Sequence, residues 1–316
     1  MKKAFEKLNL RDYGVLLGFL ALCIAISIAT PSFLGKQNIL NLLRQSSIIG
    51  IISAGMTFVI ISGNFDISVG AVAALAGAIT MKFATGGTNL FASMFLGIAI
   101  CAVIGLINGI VVAKINVPSL IATMAMVTIV RGLLLMLTGG YPITENIPIL
   151  DYIGNGYLFN IPIPVVIFFI VVLVSFTVLN KTKFGRYVYS VGGNQEASKL
   201  NGINVDSHKV KVFIINAVLA GIAGIVLTGR LGTATAIAGE GYDMDAIASV
   251  VIGGTSVAGG SGSVLKTVIG VLLMSVINNS FNLLGIDVYF QYIFKGLIIL
   301  AAVGFDSYSK KKLASR

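Results

Sequence analysis

The feature that most restricts this chain's fold is a series of apolar runs too long and too closely spaced for a water-soluble core. Ten such runs, at residues 13–29, 48–62, 69–83, 90–112, 120–137, 164–179, 212–227, 246–255, 264–281 and 289–305, carry almost no charge. A helix rises about 1.5 Å per residue and a bilayer core is about 30 Å thick, so about 20 apolar residues cross it. The third and eighth runs are short or broken by glycine, which leaves nine to eleven crossings open. Composition agrees: 56% of the 316 residues are hydrophobic and 11% charged, against about 25% charged in soluble domains. In water such a chain would expose large apolar patches. Pairs such as Gly105/Gly109, Ala217/Gly221 and Ala220/Gly224 have the small-xxx-small spacing of close helix contacts. The expected fold is an all-α integral membrane protein, a polytopic bundle of about ten transmembrane helices forming a single domain over residues 1–316.

The net charge of +10 matters through its distribution. With the N-terminus inside and ten crossings, the leader and tail hold four basic residues each, the 180–211 segment six, and the short inner turns Lys114 and Lys266. That places 16 of 22 inside, the bias expected of cytoplasmic segments. Both termini are therefore expected in the cytoplasm, with the chain in a cytoplasmic (inner) membrane and lipid as its surroundings. The basic balance then needs no nucleic acid. The first run follows Lys2 and Lys3, as in a signal peptide, but Glu6, Lys7, Arg11 and Asp12 and the run's length favour a retained first span.

Residues 65–68 and 242–245 share an aromatic-Asp-aliphatic-polar pattern, and each precedes a Gly/Ala-rich half-length span. One faces inside and the other outside, the arrangement of inverted repeats with broken half-helices. Asp66 is costly near a span interior; it either caps the helix at Val69 or, with Asn64, belongs to a path or gate. Gly253, Gly254 and Thr255 interrupt an apolar region, as open backbone lining a cavity or as a surface turn. Asn278, Asn279 and Asn282 lie near the outer end of a span, where amides either meet a solute or bond helices together. Arg131 needs a carbonyl or acid partner, whereas Lys295 can snorkel along its own stem. Outside, Arg230, Glu240, Asp243 and Asp245 form a mixed-charge segment, either solvated or suited to docking a soluble protein.

Two longer connections stand out, an external one at about 139–162 and an internal one at about 180–211. The internal one contains Gly192-Gly193-Asn194, then Glu196-Ala197, Lys199-Leu200 and Gly202. Asn194 suits an N-cap, Glu196 and Lys199 match the helix dipole, and Gly202 suits a left-handed end. This is a short capped helix that another protein can push, or an ordinary solvated loop. Catalytic chemistry finds no support. Cys23 and Cys101 define no disulfide framework or metal site. His208 has no ligand-type neighbours, and residues 260–267 fail as a phosphate loop because Leu265 replaces the glycine before Lys266. No metal, cofactor or catalytic residue is expected.

The internal segment, with Glu196-Ala197 followed by Gly202, resembles the cytoplasmic coupling loop of ATP-binding-cassette importer permeases. Residues 55–70, 239–256 and 278–285 resemble the ribose-type sugar permeases, and the likeness extends from about 38 to 305. Asn64-Phe65 depart from the Gly and Ile of that pattern. The resemblance implies a permease domain forming a homodimer or heterodimer, with two ATPase subunits that bind the ATP docked on the cytoplasmic loops. It also implies an extracytoplasmic sugar-binding protein on the outer face, and passage of a monosaccharide by alternating access. Ribose is the favoured cargo; another pentose, a hexose or a furanose-like signalling molecule remains open, and the absence of Trp argues against a strong stacking platform. An ion-driven secondary transporter is the rival from another class, and a membrane-embedded enzyme is disfavoured by the shortage of His, Cys and in-span acids.

Overall fold

A computed structural model describes residues 10–314. The leader cations Lys2, Lys3 and Lys7 and the terminal Arg316 lie outside them. Helix α1 (Leu10–Ala29) leads through a 3-10 turn into α2 (Lys36–Ile61), followed by α3 (Val69–Thr85), α4 (Leu90–Ala113) and α5 (Ser119–Thr138). The segment after α5 holds β1 (Ile143–Thr144), α6 (Pro148–Asn155), β2 (Tyr157–Leu158) and β3 (Ile161–Pro162). Then come α7 (Ile163–Lys181), α8 (Lys183–Gly193), α9 (Gln195–Leu200), α10 (Val205–Leu231), β4 (Thr233–Ala234), α11 (Tyr242–Ile252), α12 (Val264–Leu283) and α13 (Val288–Ala314). Local chemistry sets many of the ends. Asn89 caps α4 by accepting the Phe91 and Ala92 N–H groups. Gly139 and Gly232, both at φ +65°, end α5 and α10 in the left-handed conformation.

α10 is the axis of the bundle and packs on α2, α3 and α4. Glycine permits the closest approaches. A Cβ on Gly224 would stand 1.8 Å from the Ala73 carbonyl oxygen, and one on Gly105 2.6 Å from that of Phe213, so α3 and α4 rest on α10 backbone to backbone. In the same way α11 rests on α12 at Gly270.

The bundle is polar-inside relative to its surface. Three strongly apolar long helices, α4, α5 and α7, are the least buried, and expose Phe95 (74%), Met136 (83%) and Phe169 (67%). The least apolar of the long helices, α2, is buried along most of its length and carries Ser46, Ser47, Ser53 and Thr57 inward. Each of these hydroxyls bonds the carbonyl four residues back at 2.7 or 2.8 Å, so none is stranded. A chain folded against water would place its greasiest helices at the centre. Here three strongly apolar helices are left on the outside while the least apolar one is buried, which fits a hydrocarbon surround.

Several expectations change. Six helices among the described residues are long and apolar enough to cross a membrane: α2, α4, α5, α7, α10 and α12. Residues 15–29, α3 and 288–301 form shorter apolar helices, and α11 has 11 residues. The count of about ten crossings is therefore not confirmed by the helices of the described residues. Several helices also outrun their apolar runs: α2 begins at Lys36 and α10 at Val205, because polar residues extend a helix into the interface. The 180–211 segment is mostly helix, and 139–162 is structured. Its two-residue ladders pair Ile143 with Ala234 and Tyr157 with Pro162, the latter around Phe159 and Asn160 at positive φ, so the chain is not strictly all-α. Residues 242–245 form the first turn of α11 rather than preceding it; Gly241, at φ +79°, makes the break.

Candidate functional site

The residues expected along a path fall into separate groups. The first centres on Asp66, buried between α2 and α3. Its Oδ1 accepts the Ser68 N–H at 2.9 Å and the Ser68 hydroxyl at 2.5 Å, and its Oδ2 accepts Asn216 Nδ2 at 2.9 Å. Ser68 Oγ in turn accepts Asn108 Nδ2 at 3.1 Å. The carboxylate thus closes the turn ahead of α3 and ties it to α4 and α10, instead of bonding the first turn at Val69. The same segment is fixed to α5, where Phe65 N donates to Ser119 and Ile67 N to Thr123. Asn64 is buried and folds back on Ser62, bonding its carbonyl and hydroxyl at 3.1 Å each. Asn108 and Asn216 were not singled out from the sequence; a lone amide inside an apolar run was the available signal.

The second group surrounds α11. A cleft of about 660 Å³ lies between α3, α5, the 236–241 segment, the start of α11 and Tyr292 of α13. Arg131 projects into it from α5 and donates to the carbonyls of Ala236 and Ala238, the latter at 3.1 Å. Thr128, Glu240, Asp243 and Tyr292 add polar groups to the lining. A neighbouring cleft of about 290 Å³ shares Glu240, Gly241, Met244 and Tyr292 and runs on to Gln291 and Lys295. These linings offer donors and acceptors to a hydroxyl-rich solute.

The expected docking segment is divided. Glu240 is exposed and Asp243 half-buried, both facing the clefts, and Arg230 is half-buried at the end of α10. Asp245 is buried and cannot belong to an outer surface of this chain. It pairs instead with Lys295, whose Nζ is 3.1 Å from each carboxylate oxygen. Lys295 therefore does not snorkel along its own stem; a charge in a span found an acid on a facing half-helix.

The three amides serve as helix-to-helix links. Asn278 Nδ2 reaches Asp245 at 3.5 Å, Asn279 exchanges two bonds with Asn38 of α2 at 2.8 and 3.0 Å, and Asn282 accepts Gln291 Nε2 at 3.2 Å. Gly253 sits against the Lys266 carbonyl, where a Cβ would come within 2.6 Å, and Gly254 takes φ +89°. Thr255 is buried, with an unpaired hydroxyl.

The third group is the α8–α9 corner. Gly192 and Gly193 end α8, and Asn194 accepts the Ala197 N–H at 2.9 Å to cap α9. Glu196, Ala197, Lys199 and Leu200 are exposed, Leu200 at 89%, and Gly202 turns the chain at φ +76°. Ser198 alone in α9 is buried, and its hydroxyl meets that of Ser190 at 2.8 Å. The corner is tied to the segment after α11: Tyr189 donates to the Gly262 carbonyl at 3.0 Å, and Gly192 packs on Gly260, which bonds Ile61 at 2.9 Å. Burial pushes the Tyr189 phenol above its ordinary pKa. Among the described residues no group of three or more His, Cys, Asp or Glu side chains could hold a metal ion.

Residues 38–303 match the family described as branched-chain amino acid transport system / permease component. The ribose import permease protein of Haemophilus influenzae is 44% identical over 303 residues, 93% of this chain and 94% of the relative. That of Bacillus subtilis is 43% identical over 300 residues, covering 94% and 93%. The L-arabinose transport system permease protein of Escherichia coli is 35% identical over 304 residues, covering 95% and 92%. No solved structure matches the chain.

Proposed function

We infer the role of the chain from one premise: it belongs to the branched-chain amino acid transport system permease component family. It is the membrane permease subunit of an ATP-binding-cassette importer that passes a monosaccharide, ribose before other sugars. The observation that carries this reading is 43–44% identity with two ribose import permeases along nearly the whole of each chain. The arabinose relative makes another pentose the second reading for the cargo.

In this reading the whole chain is one domain, crossing the inner membrane about ten times with both termini in the cytoplasm. α3 and α11 are the half-length members of an inverted repeat. A second permease copy completes the passage. The exposed α9, capped by Asn194 and ended by Gly202, is where the ATPase subunit that binds ATP docks, as the resemblance of this segment to a coupling loop implies. Arg230, Glu240 and Asp243 face the extracytoplasmic binding protein. ATP binding at the partner displaces α9, and its ties through Tyr189 and Gly192 carry that displacement to the segment beyond α11.

The test is uptake of labelled ribose into proteoliposomes holding the chain, its ATPase and the binding protein. We expect accumulation that requires ATP on the ATPase side and stops when the ATPase is omitted. Accumulation driven by an ion gradient alone would place the chain among secondary transporters. Replacing Glu196 and Gly202 together should abolish coupling while leaving membrane insertion intact. Normal transport by that variant would remove α9 from the coupling role.

A further inference from the structure

We propose that the groove between the ends of α4 and α10 nearest Lys114 and Val205 binds an anionic phospholipid of the cytoplasmic leaflet. The orientation comes from the importer reading above; the groove itself comes from side-chain chemistry.

Two antiparallel helices build it with matching gradients. Leu106 and Ile110 of α4 and Lys114 at its C-cap are spaced four apart and share one face. On α10, Lys211 and Ile214 lie three apart and also share a face. Each face thus runs from a lysine, Lys114 at the end of α4 and Lys211 in the second turn of α10, to apolar side chains deeper along the bundle, with Asp206 at the start of α10. Glycine holds the two together, since a Cβ on Gly109 would stand 2.7 Å from the Val210 Cα. The groove beside this seam has a volume of about 460 Å³, with Lys114, Lys211 and Asp206 at its polar end and Leu106, Ile110 and Ile214 at its apolar end.

The charges favour an anion. Lys114 and Lys211 are exposed and outnumber Asp206, which also acts electrostatically on Lys209. The apolar end favours a lipid over a soluble phosphate. Leu106 is 38% exposed and continues into Ile107 and Val103, a surface suited to an acyl chain. A basic residue at a membrane surface strengthens anionic lipid binding by about fivefold. With Asp206 opposing two lysines, one net positive charge remains, and the net preference over a zwitterionic lipid is about fivefold.

The experiment is native mass spectrometry of the purified full chain, released from micelles containing equal amounts of phosphatidylglycerol and phosphatidylcholine. We expect about fivefold preferential retention of phosphatidylglycerol, falling to near parity in Lys114→Gln/Lys211→Gln and surviving in Lys114→Arg/Lys211→Arg. Equal retention of the two lipids by the unaltered chain, or an unchanged preference in the glutamine variant, would overturn the proposal. Displacement of phosphatidylglycerol by inorganic phosphate would instead identify a soluble-anion site and overturn the lipid assignment. A dimer contact in place of lipid would appear as a glutamine variant that changes oligomeric state and not lipid retention. The assay needs no ATPase, so its failure is distinguishable from failure of ATP-driven uptake.

Discussion

α3 and α11 are short apolar helices that the bundle holds by a glycine of a long neighbour, and each has a buried aspartate at its start, Asp66 just before α3 and Asp245 in the first turn of α11. α3 rests on Gly224 of α10, and α11 on Gly270 of α12. There the likeness ends. Asp66 bonds only neutral partners, Ser68 and Asn216, and residues 69–81 of α3 are buried throughout. Asp245 is held by a cation on α13, and although residues 245–251 are buried as well, the first turn of α11 borders two clefts, of which α3 lines only the larger, through Gly70 and Ala71. A close-packed element cannot shift without opening a void. An element with open space beside it, held by an ion pair, has somewhere to go. We propose that α3, whose aspartate is tied to neutral partners, belongs to the frame of the bundle, and that α11, whose aspartate is held by a cation on α13, belongs with α13 to its moving part.

The largest expected effect separates the two aspartates. Asp245→Ala strands the Lys295 ammonium and should cost about 3 kcal/mol of stability, read from thermal unfolding of the purified chain. Adding Lys295→Met should recover most of it, because an absent charge needs no partner. Failure of that rescue would break the contrast. Asp66→Ala comes next, at about 2 kcal/mol, since it leaves the Ser68 N–H and the Asn216 amide without acceptors. No change at a cation should restore it. The smallest effect belongs to Asn279→Ala, which removes the exchange with Asn38. Such interhelical bonds contribute about 0.6 kcal/mol. A much larger loss would mean that this amide pair, rather than the ion pair, holds the α12 side in place.

Much of this was legible in the sequence, and the rest was hidden for identifiable reasons. Apolar runs located the spanning helices because desolvation acts on each run locally. They missed the extensions of α2 to Lys36 and α10 to Val205, where polar residues continue the helix beyond the run. The α9 cap at Asn194 and the turn at Gly202 were readable because capping is a contact within a few residues. Pairings across the bundle were not. Nothing in the local pattern links Lys295 to Asp245, 50 positions earlier, or Asn216 to Asp66, 150 positions earlier. Asp245 was for that reason expected on the outer surface, among the acids of its own segment. The Arg131 partners were hidden in a further way, because backbone carbonyls carry no residue-type signature.

The division between frame and moving part can be measured directly by pulsed electron resonance, with spin labels in the assembled transporter after replacement of Cys23 and Cys101. One pair, at Met244 and Leu297, spans α11 and α13; the other, at Phe83 and Leu231, spans α3 and α10, and all four positions are exposed. On adding ATP we expect the first distance distribution to shift and the second to stay fixed. A shift between Phe83 and Leu231, with Met244 and Leu297 unchanged during active transport, would contradict the assignment.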